Sequence, residues 1–228
     1  MAELKIINSS DTVKVNSVFC IGKNYTDHIN EIVIPGIKNE IPAEPVVFLK
    51  PASAIVGEGS VISVPELNGS KISNDIQNEA ELVIVIGADC ECIAEENAME
   101  YILGYAVGID FTLRDIQTEC KKKGKPWAVA KGFRGSSPVS DIVLAEQAGN
   151  VQDLNITLRV NEEMKQSGNT SQMIFSVKFI VSYLSKIFGL RKGDLIFTGT
   201  PAGVASLKTG DVVHAEIQNI GELNVTIG

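Results

Sequence analysis

The stretch Glu79-Ala80-Glu81-Leu82-Val83-Ile84-Val85-Ile86-Gly87, residues 79–87, sets two carboxylates at the mouth of an unbroken run of branched aliphatic side chains. A short apolar run closed by glycine reads as a buried strand. It is far below the ~20 residues needed to cross a bilayer. Working outward, Tyr105–Asp110 reads as a second buried strand, ending in an acid. Ser17–Ile21, Val46–Leu49 and Val61–Val64 are β-like runs between glycine and proline punctuation. Leu154–Val160 alternates apolar and polar positions, and Asn161-Glu162 follows as a turn. Leu195–Thr198, Asp211–Ile217 and Leu223–Ile227 add three more strands.

Helices are fewer. Val177, Ile180, Val181, Leu184, Ile187 and Phe188 recur at helical spacing, and Gly189 is a natural stop. Ala94–Tyr101 and Arg114–Lys123 are shorter candidates, the second ended by Gly124. Many strands with interspersed single helices predict an α+β fold, mostly β, around a mixed sheet or barrel. The alternation is too irregular for a doubly wound sheet. No Gly/Ser-rich or Pro-rich linker divides the chain, so residues 1–228 read as one domain, with 1–16 as an N-terminal strand or extension.

Apolar residues make up 44% of the 228, enough for a substantial core. The net charge of −8 argues against a nucleic-acid binder, which needs a basic face. Met1 to Ser10 holds no apolar signal segment, and no run is long enough for a membrane, so a cytoplasmic protein is expected. Cys20, Cys90, Cys92 and Cys120 fit reduced thiols better than a disulfide framework.

Phosphate-loop, dinucleotide, zincin and nucleophile-elbow motifs are absent. With His28 and His214 as the two histidines, a multi-histidine zinc site is nearly excluded. A carboxylate set remains. Side chains at i and i+2 of a strand share one face, about 7 Å apart, so Glu79 and Glu81 can converge on one ion. Taken alone they could equally be a solvated edge. Asp110, ending a buried strand, tips the reading toward a metal, because a buried acid needs a partner. Three carboxylates without nitrogen or sulfur describe a hard-cation site for Mg²⁺, or Mn²⁺.

In Asn24-Tyr25-x-x-His28-x-x-Glu31, a helical turn would put His28 and Glu31 on one side as a water-activating pair. An incidental surface pair is the alternative. Arg114 and Lys131 are candidates to bind a carboxylate or an enolate. Lys121-Lys122-Lys123-Gly124-Lys125 reads as a solvated helix end. Thr198-Gly199-Thr200-Pro201-x-Gly203-Val204 reads as a tight, backbone-rich loop.

These pieces, in this order, resemble the fumarylacetoacetate hydrolase family, in its short single-domain branch. The likeness runs from about Ser17 to the C-terminus. It includes Glu44-Pro45-Val46-Val47-Phe48-Leu49-Lys50-Pro51, Lys121-Lys122-Lys123-Gly124-x-Pro126-Trp127 and Met173-Ile174-Phe175-Ser176. The resemblance implies a mixed β-roll or barrel with a few helices, forming a homodimer. It implies metal ligands at Glu79, Glu81 and Asp110, and catalytic roles for His28, Glu31 and Lys131. His28 and Glu31 would ride on a lid of about residues 24–42. Substrate contacts are implied at Lys23, Tyr25, Arg114, Gln117 and Thr200. Gly22-Lys23-Asn24-Tyr25 departs from the family's Gly-Arg-Asn-Tyr; lysine keeps the charge but not the bidentate fork.

The expected reaction is metal-dependent hydrolysis of acylpyruvate-type 2,4-dioxo acids to pyruvate and a carboxylic acid. The alternatives on the same site are an oxaloacetate decarboxylase or tautomerase, or a 2-hydroxyhepta-2,4-diene-1,7-dioate isomerase. A non-catalytic metal-binding protein is the remaining reading. The expected partner is a small 2-oxo acid, with no nucleic acid and no membrane.

Overall fold

Every position from Ala80 to Ile86 is buried, with a neighbouring strand on each side. Leu82, Ile84 and Ile86 enter the larger of two apolar clusters, and Val83 and Val85 the smaller. A strand covered on both faces has no solvent side, which is why its sequence is aliphatic throughout rather than alternating. The computed structural model describes residues 2–36, 38 and 40–228.

This strand lies within a six-stranded sheet ordered Val143–Leu144, Ile102–Ile109, Ala80–Ile86, Leu195–Phe197, Val18–Gly22, Val46–Lys50. Leu195–Phe197 and Val18–Gly22 pair in parallel and the other neighbours antiparallel, so the sheet is mixed. A second sheet runs Glu163–Asn169, Asn155–Val160, Val212–Ile217, Gly221–Ile227, Val61–Ile62. Its inward side chains, among them Ile156, Leu158, Val213 and Val225, join Leu82 and Ile84 in the larger cluster. The expected α+β, mostly β architecture is therefore present, with two sheets sharing one core. At the N-terminus, Glu3–Lys5 and Thr12–Lys14 pair as a hairpin that adds Leu4 and Val13 to the smaller cluster.

The helix Val177–Ile187 buries Val177, Ile180, Val181 and Leu184 against the core. Ser176 Oγ accepts from Phe179 N at its start, and Gly189 follows at φ +63°. Ile187 and Phe188, expected on the buried stripe, are 54% and 47% exposed, because the last turn overruns the core. Arg114–Lys123 forms with the expected bounds; Gly124 closes it in the left-handed region at φ +62°. Ala94–Tyr101 narrows to a 3₁₀ helix at Glu95–Tyr101. The strand Glu163–Asn169 and the short helix Ala128–Lys131 were not foreseen. The four cysteines are free.

Register sets up the site. Ala80 stands opposite Ile109, and Asp110 N donates to Glu79 O at 2.8 Å. Antiparallel pairing thus carries Asp110 to the mouth where Glu79 and Glu81 lie two positions apart.

Candidate active site

Oxygens of Glu79, Glu81 and Asp110 all lie within 4.8 Å of one another, and all three side chains are buried. Like charges that close need compensation. Lys131, on the helix Ala128–Lys131, supplies much of it. Its Nζ donates to Glu79 Oε2 at 2.6 Å, Asp110 Oδ2 at 2.7 Å and Thr112 Oγ1 at 2.6 Å. Burial works to lower the Lys131 ammonium, but Asp110 and Glu79 outweigh it and hold it above its usual value.

Arg114 Nη2 donates to Glu79 Oε1, its Nη1 to Gln117 Oε1 at 2.6 Å and its Nε to Gln77 Oε1 at 2.8 Å. Burial would raise the Glu79 carboxyl, but Lys131 and Arg114 together hold it well below the ordinary range. Lys50 reaches Asp110 Oδ1 at 2.5 Å, as an ion pair off the hydrogen-bond direction, and also donates to Ser136 O at 2.9 Å.

Glu81 differs from its neighbours. Its Oε2 accepts from Gly199 N at 2.7 Å, but among the described residues it is in no ion pair. Burial, then the charges of Asp110 and Glu79, push its carboxyl up. Of the three carboxylates Glu81 is thus the one without a direct ion pair among the described residues. The all-oxygen donor set and this unpaired carboxylate fit a hard divalent ion, and among the described residues the group of possible ligands holds no histidine or cysteine.

The expected tight loop is present and holds two acids. Gly199, at φ +96° where side chains are strained, turns its N–H onto Glu81. Gly203 N reaches the Glu31 carboxylate at 3.0 and 3.2 Å. Glu31 closes the short helix Thr26–Glu31, three residues on from His28. His28 Nδ1 lies 3.4 Å from Glu31 Oε2. Burial would raise the Glu31 carboxyl, but the His28 and Gly203 hydrogen bonds hold it below its ordinary value.

One pocket gathers His28, Glu79, Glu81, Asp110, Lys131, Arg114, Gln117, Lys23 and Thr200. Tyr25 stands apart: it is 2% exposed, lies off that wall, and its hydroxyl has no hydrogen-bond partner among the described residues. Of the candidate lid, Ile37 and Asn39 lie outside the described residues. Sequence reasoning passed over four residues. Lys50, in the stretch 44–51, meets Asp110 and the Ser136 carbonyl. Asn24 binds Phe175 through both backbone groups and reaches Thr198 O at 2.7 Å, tying the His28 segment to the loop. Gln166, fully buried, accepts from Asn78 and Ala80 N and donates to Thr200 Oγ1 and Pro201 O. Lys121, expected in solvent, lines the pocket. Its signal was its spacing: Arg114, Gln117 and Lys121 share one helix face at i, i+3 and i+7.

Comparison with known proteins agrees with this arrangement. Residues 17–228 match the family model "Fumarylacetoacetate (FAA) hydrolase C-terminal". The mitochondrial oxaloacetate tautomerase FAHD1 of Bos taurus is 44% identical over 204 residues, 90% of this chain and 88% of that protein. The structure of fumarylpyruvate hydrolase from Pseudomonas aeruginosa, in complex with Mn²⁺ and pyruvate, is 37% identical. It superposes with a TM-score of 0.91 over 99% of this chain and 95% of that one. The 2-hydroxyhepta-2,4-diene-1,7-dioate isomerase of Mycobacterium marinum is also 37% identical, with a TM-score of 0.80 over 94% and 75%. With a match across nearly its whole length, the chain belongs to the fumarylacetoacetate hydrolase family.

Proposed function

We propose that this protein is a Mg²⁺- or Mn²⁺-dependent enzyme that works on small 2-oxo acids through their enolates, hydrolysing the C3–C4 bond of acylpyruvate-type 2,4-dioxo acids. The observation that carries this reading is His28, engaged by Glu31 and lining the same pocket as the Glu79, Glu81 and Asp110 carboxylates. Those three residues would hold the ion, which supplies Lewis acidity toward a 1-carboxylate and 2-oxo group. The Mn²⁺ and pyruvate in the Pseudomonas aeruginosa relative support a divalent ion and a 2-oxo acid here.

The chain's own residues supply the rest. Glu31 engages Nδ1 of His28, which leaves Nε2 as the base that takes a proton from water. The hydroxide so formed adds to the 4-carbonyl, and the C3–C4 bond breaks. Its electron pair passes to the pyruvate enolate, and the proton on His28 returns to C3. Lys131 supports the negative charge that develops on the enolate oxygen. Arg114 and Gln117, locked to each other, orient the substrate, with Lys23 and Thr200 beside them.

A second reading is favoured by the 44% identity to an oxaloacetate tautomerase. Keto–enol exchange passes through the same enolate and needs a proton shuttle at C3 without an attacking water. Decarboxylation of oxaloacetate would reach that enolate as well. The deciding experiment follows acetylpyruvate hydrolysis, oxaloacetate tautomerisation and pyruvate release in parallel, with Mg²⁺ and with EDTA. His28→Ala is expected to slow hydrolysis by about 10²–10⁴-fold while binding Mn²⁺ as tightly as the parent. Hydrolysis at the parent rate would remove the dyad from the mechanism, and metal-independent turnover would remove the ion.

A further inference from the structure

We propose that Lys121 forms a second anion subsite in the pocket, which selects 2-oxo acids bearing a distal carboxylate over those ending in an alkyl group. This rests on the 2-oxo acid reading above and narrows its substrate class to dicarboxylates.

The argument starts from the helix Arg114–Lys123. Lys122 and Lys123 turn outward and pair with Glu119 at 3.7 and 2.8 Å. Lys121 lies on the pocket face with Arg114 and Gln117 instead. Its Nζ sits 5.3 Å from the centroid of the Trp127 ring, which holds the ammonium in place without neutralising it. Among the described residues Lys121 is in no ion pair.

Charge balance makes that unusual. The three inner carboxylates already face three buried cations in Lys50, Arg114 and Lys131. A divalent ion would leave the pocket positive, and Lys121 adds to the excess. Burial, then Arg114 and Lys131, push its ammonium down to about 8. A half-buried cation facing like charges needs an anion, and among the described residues no carboxylate pairs with it: Glu79, which pulls its ammonium back up, is already held by Arg114 and Lys131. A monoanionic 2-oxo acid spends its one carboxylate beside the 2-oxo oxygen. A dicarboxylate brings a second carboxylate to the unmatched ammonium, where a charge-assisted hydrogen bond forms.

The test uses L-lactate and L-malate, which differ by the distal carboxylate and cannot enolise. Their binding to the Mg²⁺-loaded protein is measured by isothermal titration calorimetry. The parent is expected to prefer malate by about tenfold or more, the equivalent of one charge-assisted contact. Lys121→Gln should bring the ratio of dissociation constants close to one, and Lys121→Arg should keep most of it. No preference in the parent, or a preference that survives Lys121→Gln, overturns the subsite. Failure to turn over any 2-oxo acid would sink the proposed function, while the malate-to-lactate ratio would still decide the subsite separately.

Discussion

Lys121, Lys122 and Lys123 share one chemistry and one helix, yet two pair with Glu119 at the surface and one stands against the pocket. The difference is helical phase, and it has a pH consequence. A base held down to about 8 carries its charge below that pH and loses it as the pH rises through it. Arg114, Lys131 and Lys23 face Lys121 and push its ammonium down while Glu79 pulls it up; Lys131 itself is held above its usual value and Glu79 below its own. The malate preference should therefore be strong at pH 7 and largely lost by pH 9, although both malate carboxylates are ionised at each. Dissociation constants at the two pH values check this, and an equal preference at pH 9 would contradict it.

At the scale of elements, the loop Thr198–Val204 faces the site but is held from behind. Gln166, on the strand Glu163–Asn169, makes four hydrogen bonds that join this loop to the start of the Ala80–Ile86 strand. Gln166→Leu keeps the approximate volume but strands buried polar groups on both elements. Each unsatisfied group costs about 1–3 kcal/mol, so a loss of about 3 kcal/mol or more is expected in urea unfolding. Turnover should fall as well, since Thr200 and the Gly199 N–H that grips Glu81 belong to the released loop. Leu184→Ala, in the helix Val177–Ile187 and far from these contacts, should cost about 2–5 kcal/mol by leaving a cavity. It serves as the control: a loss of stability without the Gln166→Leu loss of turnover.

For the whole molecule, Glu81 is a weakness until a metal ion meets it, since its neighbours already have Lys50, Arg114 and Lys131. An ion that binds the folded chain alone stabilises it by about 2.7 kcal/mol at a hundred times its dissociation constant. For a chain of this length that is roughly 5–11 °C in Tm. Scanning calorimetry with Mg²⁺ or Mn²⁺ should show the rise, and EDTA should reverse it. Glu81→Gln should lose the shift, yet be no less stable than the parent without metal, because it removes the carboxylate that has no cation. A parent whose Tm ignores both ions would end the metal assignment.

The sequence by itself determined the central elements and the residue pairs of the candidate site. Aliphatic runs and glycine stops marked the central strands and the helix Arg114–Lys123, because strand and helix periods are local. The i, i+2 spacing of Glu79 and Glu81 and the i, i+3 spacing of His28 and Glu31 are likewise local, so both pairs were legible. Only the tertiary structure decided what surrounds them. Lys50 and Lys131 meet Asp110, and Gln166 meets Ala80 across 86 residues of chain, through pairings that leave no periodic trace. Whether Lys121 faces water or the pocket depends on where its helix docks, because burial and neighbouring charge, not the lysine itself, set the cost of leaving it unpaired.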